Sequence, residues 1–168
     1  MTVVPALVKP ALDEGVAFTD GAVDAILEAT QRYPYFLQEW GSHVWNSAPA
    51  SPVGEAMVTE ATPGIIAHLD ANFFRVRFDR LTPLEQKYLR AMAELGPGPH
   101  KTGDVAATLG VEAAAVATVR QHLINKGMVW SLRHGETAFT VPMFDAFMKR
   151  QMPEIEKHQP RRRRGPGA

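Results

Sequence analysis

The amino-acid sequence predicts a mainly α-helical protein with a small β-hairpin, built as a helical lid-like bundle followed by a winged helix-turn-helix domain. The prediction rests on residues 81–148, where three segments of helical periodicity precede two short strand-like segments around a glycine turn and a last short helix. In the helix-turn-helix class this order places the third helix beside a projecting hairpin that can enter a DNA groove. The same arrangement also serves in protein–protein contacts.

The composition bounds the class of protein. With 168 residues, of which 45% are hydrophobic and 21% charged, the chain can hold one or two small globular domains. The chain has no cysteine, which excludes disulfides and thiolate metal sites. No run approaches the ~20 apolar residues of a membrane span, and the N-terminus lacks the pattern of a secretory signal. We therefore expect a cytoplasmic protein with no membrane partner.

The net charge of zero conceals a segregation of charges. Residues 1–74 contain two basic and nine acidic side chains, whereas residues 75–168 contain sixteen basic and nine acidic ones. Four of the basic residues are the consecutive arginines 161–164. This distribution favours two modules, of which the basic one meets a polyanion. Solvated faces with a disordered basic tail would give the same distribution.

The first half of the chain predicts an extended segment and a helical bundle. Residues 1–18 contain Pro5 and Pro10, which favour an extended or loop-like N-terminal segment. Thr19 or Asp20 then caps a helix that continues to about residue 30.

Two more helices complete this predicted bundle, which covers residues 19–80. One begins at Pro34, whose missing N–H costs nothing in a first turn. The other runs from about Gly54 to Arg80, with an expected kink or break at Pro63-Gly64.

The predicted winged-helix domain covers residues 81–150. Thr82 and Glu85 form a capping box at the start of its first helix, and residues 96–100 (GPGPH) read as a loop. The second helix runs from Lys101 to Leu109 and ends at Gly110, and the third runs from Glu112 to Lys126 and ends at Gly127.

Two alternating segments then predict the hairpin. Met128, Trp130 and Leu132 form one apolar series, and Phe139 and Val141 form the other. The turn between them centres on His134-Gly135, and a short amphipathic helix follows Pro142. We expect residues 151–168 to form a disordered basic tail.

The third helix supplies the first set of candidate DNA-binding residues. Its helical periodicity turns Val116, Val119 and Leu123 towards the core. The opposite face then carries Ala114, Ala117, Thr118, Gln121, His122 and Asn125. Glutamine and asparagine can contact adenine with two hydrogen bonds, and the flanking Arg120 and Lys126 could reach phosphates. Alternatively, this is an exposed face whose polar residues serve solubility.

The hairpin turn and the tail supply the remaining candidates. Arg133 and His134 at the tip of the turn suit contact with a phosphate strand or the minor groove, unless Arg133 pairs with Glu136 across the turn. The tail cluster of Arg161, Arg162, Arg163 and Arg164 would add salt-sensitive attachment to nucleic acid, or is an inert end.

Other functional sites are not predicted. Residues 96–104 (GPGPHKTGD) place His100 where a phosphate loop needs glycine, and Pro97 and Pro99 lack the N–H groups that would hold phosphate. The six histidines show no paired spacing on one helix face, so we expect no metal site. We find no catalytic constellation and expect no cofactor.

Four segments carry a resemblance to a known family: Tyr33 to Trp45 (YPYFLQEWGSHVW), Leu69 to Phe74 (LDANFF), Leu81 to Leu89 (LTPLEQKYL) and His134 to Arg150 (HGETAFTVPMFDAFMKR). With these segments the chain resembles the C-terminal half of prokaryotic AAA-type ATPases related to the origin-recognition and STAND classes. The resemblance implies a lid at Asp20 to Arg80 and a winged helix at Leu81 to Arg150.

The same resemblance implies that this chain does not hydrolyse ATP. In that family the phosphate loop (Walker A) and the acidic strand (Walker B) lie upstream of the lid, and the chain has neither. Arg32 also stands where the family's GYP-like turn has glycine, so we expect no nucleotide contact at Tyr33 and Pro34. Both a truncated ATPase and a stand-alone protein fit the sequence.

The leading functional hypothesis is a non-catalytic module that binds double-stranded DNA through its third helix, wing and basic tail. The alternative is a regulatory protein–protein interaction module that docks on an ATPase core domain or another partner, or forms a homo-oligomer. The alanines of the third helix and the scarcity of basic residues on its outer face favour this alternative.

Overall fold

The computed structural model describes residues 4–48, 50–131 and 133–155, with side chains from residue 7 onward. The chain is mainly helical with a small three-stranded antiparallel sheet, which confirms the predicted fold class. It divides into two compact units, residues 1–79 and residues 80–168. Among the described residues, no helix has both the length and the apolar character required to cross a bilayer.

The first unit is a bundle of helices with an aromatic core. Thr19 caps the second helix by accepting a hydrogen bond from the Ala22 N–H, and Pro34 occupies the first turn of the third helix, both as predicted. Trp40 and Phe36 are fully buried. The elements are α1 (Val4–Asp13), α2 (Asp20–Ala29), α3 (Pro34–Ser47), α4 (Glu55–Leu69), a π-helical segment (Asp70–Phe74) and α5 (Arg75–Phe78).

The prediction of an extended N-terminal segment is wrong, because residues 4–13 form α1. Leu7 and Ala11, one helical turn apart, are buried, and a Cβ atom on Gly41 of α3 would lie 2.7 Å from the Leu7 Cδ1 atom. Pro5 stands in the first turn of α1, where an N–H group has no helical partner. Pro10 removes one internal hydrogen bond, and close packing against α3 offsets that cost.

The predicted kink or break at Pro63-Gly64 is also wrong, because α4 continues through both residues. Both are exposed, so the proline ring projects into solvent, while Val58 and Ile65 anchor the helix to the core on either side. The helix becomes irregular later, in the π-helical segment. That wider turn places the adjacent Phe73 and Phe74 in the core together, with ring centroids 5.2 Å apart.

The second unit has the element order of a winged-helix-like domain. Its elements are α6 (Pro83–Glu94), β1 (His100–Lys101), α7 (Thr102–Leu109), α8 (Ala113–Asn125), β2 (Val129–Trp130), β3 (Glu136–Phe139) and α9 (Phe144–Gln151). The α6 helix packs against α7, α8 and α9, and its Tyr88, Leu89 and Met92 are fully buried. The sheet has the antiparallel order β1-β3-β2.

The sheet contains a strand that the sequence analysis assigned to a loop and a helix end. His100 and Lys101 pair with Thr137 and Glu136, and the next residue, Thr102, donates its N–H to the Gly135 carbonyl oxygen over 2.8 Å. Two residues carry no readable strand periodicity, and their pairing depends on a partner more than thirty residues away. The predicted two-stranded hairpin is therefore the larger part of a three-stranded sheet.

The predicted facing of the first hairpin strand is wrong. Val129 is the buried residue of β2, whereas Trp130 is 49% exposed. The way α8 ends determines which residues of β2 face the core. Gly127 has a φ of +68°, and Met128 donates its N–H back to the Leu123 carbonyl oxygen. Val129 is then the first residue to face the core. Leu132, the third member of the predicted apolar series, lies outside the described residues.

The buried carboxylate of Glu85 connects the start of α6 to the end of α8. Glu85 accepts the Thr82 N–H in the predicted capping box, and its Oε2 atom also lies 2.7 Å from the Nζ atom of Lys126, just beyond α8. Burial raises the pKa of Glu85, but the hydrogen bonds from Lys126 and Thr82 outweigh it and lower the pKa below 4.5. Glu85 is therefore ionised at neutral pH.

The region after α9 is ordered further than predicted. Arg90, buried on α6, donates hydrogen bonds to the carbonyl oxygens of Met152 and Pro153. These bonds hold the first residues of the segment predicted to be a disordered tail. Residues 156–168 lie outside the described part of the chain.

The turn between α2 and α3 generates a first prediction. Gln31 and Arg32 have φ values of +50° and +60°, and their N–H groups bond to Glu28 and Leu27 as in a Schellman motif, which favours glycine. Both side chains are exposed. We expect Gln31→Gly and Arg32→Gly each to raise the free energy of unfolding by about 0.5–1 kcal/mol, measured by urea denaturation.

The matched control for the turn variants is Ala67→Gly, at an exposed position inside α4. This change should lower the free energy of unfolding by about 1 kcal/mol, because glycine there only adds chain entropy to the unfolded state. Destabilisation by glycine at all three positions would contradict a left-handed backbone at Gln31 and Arg32.

Glu85 generates a second prediction. Because its folded-state pKa lies below the unfolded value, its contribution to stability is complete above pH 4.5 and is lost as the pH falls through the folded-state pKa. We expect Glu85→Gln to lower the free energy of unfolding at pH 7 and to have a smaller effect at about pH 3. Chemical denaturation of both proteins at the two pH values measures this difference, and an equal effect at both would contradict the assignment.

Candidate nucleic-acid interface

The helix-turn-helix formed by α7 and α8 positions the candidate surface. A short turn at residues 110–112 joins α7 to α8, and Gly110 ends α7 in the left-handed conformation with a φ of +73°. Val116 and Leu123 of α8 are buried as predicted, and Val119 is half-buried. Burial of these residues leaves the opposite side of α8 facing solvent.

The predicted outward face of α8 is exposed along its whole length. Gln121 and Asn125, one turn apart, bond to each other through Gln121 Nε2 and Asn125 Oδ1 over 3.0 Å. This bond leaves the Gln121 oxygen as an acceptor and the Asn125 nitrogen as a donor, which matches the donor and acceptor on the major-groove edge of adenine. The exposed residues are Ala114, Ala117, Thr118, Gln121, His122 and Asn125.

Arg120 has partners within the protein. Its Nε atom donates to Thr137 Oγ1 over 2.8 Å, and its Nη2 atom donates to Ser131 Oγ over 2.9 Å and to the Glu136 carbonyl oxygen over 3.2 Å. These groups lie on β3 and just after β2. The guanidinium group therefore connects α8 to both strands of the hairpin and fixes the position of the hairpin relative to the exposed face.

Lys126 is the second candidate cation with internal partners. In addition to its ion pair with Glu85, its Nζ atom donates to the Arg80 carbonyl oxygen over 3.1 Å.

The candidates of the hairpin turn, Arg133 and His134, are exposed. Within this turn the Glu136 N–H donates to the Arg133 carbonyl oxygen. Arg161, Arg162, Arg163 and Arg164 lie outside the described residues.

Two exposed residues beside this surface were missed by the sequence analysis. Lys101 lies at the N-terminus of α7, opposite Glu136 in the sheet, and was assigned to the helix itself. Trp130 on β2 was placed in the apolar series of the first hairpin strand, but it is 49% exposed. The position of Gly127 in the sequence could have revealed that Trp130 is exposed, because the end of α8 determines which residues of the next strand face the core.

An apolar groove lies next to the exposed face of α8. It has a volume of about 240 Å³ and runs between α6, α7 and α8. Among its large apolar residues Leu84 is the most exposed, with 66% of its surface accessible. The groove is lined by Leu84, Lys87, Tyr88, Leu109, Val111, Ala115, Val116 and Val119.

The structure brings together two of the histidines in the first unit. Their spacing in the sequence shows no pair on one helix face, because His43 lies on α3 and His68 on α4; in the fold their ring centroids are 4.9 Å apart. The carboxylate of Glu39 lies beside both rings. Spacing along the chain does not reveal such a cluster, because its members come from two packed helices.

The contacts of Arg120 generate a third prediction. Replacing it with alanine removes three hydrogen bonds between α8 and the hairpin and leaves the buried hydroxyl of Thr137 without its charged donor. We expect Arg120→Ala to lower the free energy of unfolding by roughly 2 kcal/mol in urea denaturation. Gln121→Ala, at the exposed neighbouring position, should change it by less than about 0.5 kcal/mol. Equal effects of the two changes would contradict a structural role for Arg120.

Comparisons with known proteins give a match to a family model and matches to solved structures. A family model described as "Domain of unknown function (DUF8462)" matches residues 71–148. No curated protein matches the chain. The chain is similar to the solved structure of the Thermotoga maritima RuvB Holliday junction branch migration motor, with 18% identity and a TM-score of 0.38. That match covers 81% of this chain and 44% of the RuvB chain, and two point mutants of the same protein match with the same values.

Proposed function

We propose that this chain is a non-catalytic, cytoplasmic DNA-binding module, which contacts double-stranded DNA through α8, the hairpin turn and the basic tail. The observation that carries the proposal is the exposed polar face of α8 beside a hairpin that Arg120 holds in place. A helix can read base edges only if it projects from the protein surface and if flanking groups contact the backbone on either side.

The residues of α8 divide into those that read bases and those that hold the surface in shape. Thr118, Gln121 and Asn125 present a methyl group, an acceptor and a donor within two helical turns. Arg120 and Lys126 have internal partners, so their role in the proposal is to position α8 and the hairpin. Phosphate contact then falls to the exposed Arg133 and His134, with Lys101 at the start of α7.

The charge balance implies that the tail contributes much of the affinity. Residues 80–155 contain nine basic and seven acidic side chains, which is a weak positive charge for a nucleic-acid surface. The four arginines at 161–164 add a compact positive cluster. An arginine tail contacts phosphates of any DNA sequence and so raises affinity. The α8 face is poor in cations, so its contribution is a preference for particular base sequences more than affinity.

The relation to AAA-type ATPases is part of the same proposal. The segments at Tyr33 to Trp45 and at His134 to Arg150 resemble the lid and the winged helix of that family. In this proposal nucleotide chemistry belongs to an ATPase core domain, with which the chain acts as the DNA-contacting part.

The test is a fluorescence anisotropy titration of the full chain against a random-sequence duplex at about 50 mM and 200 mM salt. We expect binding at the lower concentration and a severalfold loss of affinity at the higher one. Removal of all four tail arginines should weaken binding to every sequence and flatten the salt dependence. Arg133→Ala should reduce the logarithmic salt slope by about one.

The controls separate base reading from charge. Gln121→Ala should alter the preference among duplexes of different sequence, while leaving the salt slope unchanged. Lys9→Ala removes an equal charge from an exposed position on α1 in the first unit and should leave the affinity unchanged. Absence of binding by the folded protein at low salt would overturn the proposal.

A regulatory interaction module is the second candidate function, and the apolar groove is the observation that favours it. Leu84, Leu109 and Val119 offer a continuous apolar surface of the kind that accommodates side chains of a protein partner. The same titration distinguishes the candidates, since a docking module would not bind duplex DNA and would hold its partner, such as an ATPase core domain, with little salt dependence.

A further inference from the structure

We propose that Glu39, His43 and His68 form a binding site for a divalent transition-metal ion, with Zn²⁺ as the best-fitting ion, between α3 and α4. One nitrogen atom of each imidazole and one carboxylate oxygen atom of Glu39 lie within 4.8 Å of one another. The site belongs to the first unit and involves none of the residues proposed to contact DNA.

The packing of two helices creates this cluster. Glu39 and His43 are one turn apart on α3, so their side chains leave the helix on the same side. His68 stands near the end of α4, which packs against α3. The helices hold the three side chains in place through the core beneath them, where the Trp40 Nε1 atom donates to Thr62 Oγ1 over 3.2 Å.

The distances between the polar atoms suit a bound ion. The Glu39 Oε2 atom lies 3.8 Å from His43 Nδ1 and 3.9 Å from His68 Nε2. Zinc bonds of about 2.0–2.2 Å to nitrogen and oxygen require ligand atoms less than about 4.2 Å apart. The Glu39–His68 pair meets that limit. One ring nitrogen of His43 completes a set of three ligand atoms that all lie within 4.8 Å of one another, so small side-chain rotations would centre an ion among them.

Neighbouring groups orient both rings, as is usual around metal-binding histidines. His43 donates its Nδ1 hydrogen to the Glu39 carbonyl oxygen over 2.9 Å, and this tautomer leaves the Nε2 lone pair of His43 free for a metal. Asn72, in the π-helical segment, places its side-chain amide 3.3 Å from His68 Nδ1. The same amide nitrogen donates to the His68 carbonyl oxygen over 3.0 Å, so Asn72 lies against the Nδ1 edge of the ring and leaves the Nε2 edge towards Glu39.

The chemistry of the ligands selects the ion. Two imidazoles and one carboxylate are the protein ligands of zinc sites that keep a fourth position for water. The same set also accepts other first-row divalent metals, whereas Ca²⁺ and Mg²⁺ prefer oxygen ligands alone. The side chains of His43 and His68 are 38% and 47% exposed, so an ion can enter from solvent and water can complete its coordination.

The experiment is isothermal titration of the tag-free full chain with Zn²⁺. The chain has no cysteine, so no thiolate competes for the ion. We expect saturable binding of one ion per chain. His43→Gln, His68→Gln and Glu39→Gln should each weaken binding by more than about tenfold, because each change removes one ligand.

A second readout and a matched control complete the test. Zn²⁺ should raise the midpoint of thermal unfolding of the wild-type chain, because it binds only the folded site, and should not raise that of the three ligand variants. His122→Gln removes an exposed histidine from α8 in the other unit and should leave Zn²⁺ affinity unchanged. Absence of saturable binding, or binding that survives all three ligand substitutions, would overturn the proposal.

Discussion

Burial of one side of α8 is the constraint on which the second unit depends. Val116 and Leu123 lie in the core, where Tyr88, Leu89 and Met92 of α6 are fully buried. This burial determines which residues of α8 face solvent, and the Schellman turn at Gly127 then sets the phase of the strand that follows. Trp130 is exposed and Val129 is buried as a consequence of where α8 ends. The packing of the core therefore determines which residues form the candidate surface.

Charged side chains stabilise the second unit by hydrogen bonds between elements that are distant in sequence. Arg120 connects α8 to both strands of the hairpin, Lys126 connects the end of α8 to the capping box of α6, and Arg90 holds the chain after α9. A charge-assisted hydrogen bond is about twice as strong as a neutral one, so each of these side chains stabilises a long-range contact. The same contacts make these cations poor candidates for phosphate binding. In the proposed function, phosphate contact therefore falls to the hairpin turn, Lys101 and the tail.

The first unit shows how irregular backbone can position side chains. The π-helical segment places Phe73 and Phe74 in the core together, and it also carries Asn72 back beside His68. Consecutive side chains of a regular helix lie 100° apart, and the wider π-helical turn reduces this angle, so both rings face the same core. The same segment therefore contributes two rings to the aromatic core and one polar neighbour to the proposed metal site.

Sequence alone determined the class of fold, the main helices, their caps and the buried side of α8. These features arise from local patterns: Thr82 with Glu85 marks a helix start, and apolar residues three or four apart mark a buried face. Tertiary structure decided the helical state of residues 4–13, the continuity of α4 through Pro63, the pairing of β1 and the partners of Arg120. It also brought Glu39, His43 and His68 together from two helices. Each of these depends on residues distant in sequence, whose packing outweighs local preference and whose proximity exists only once the helices are packed.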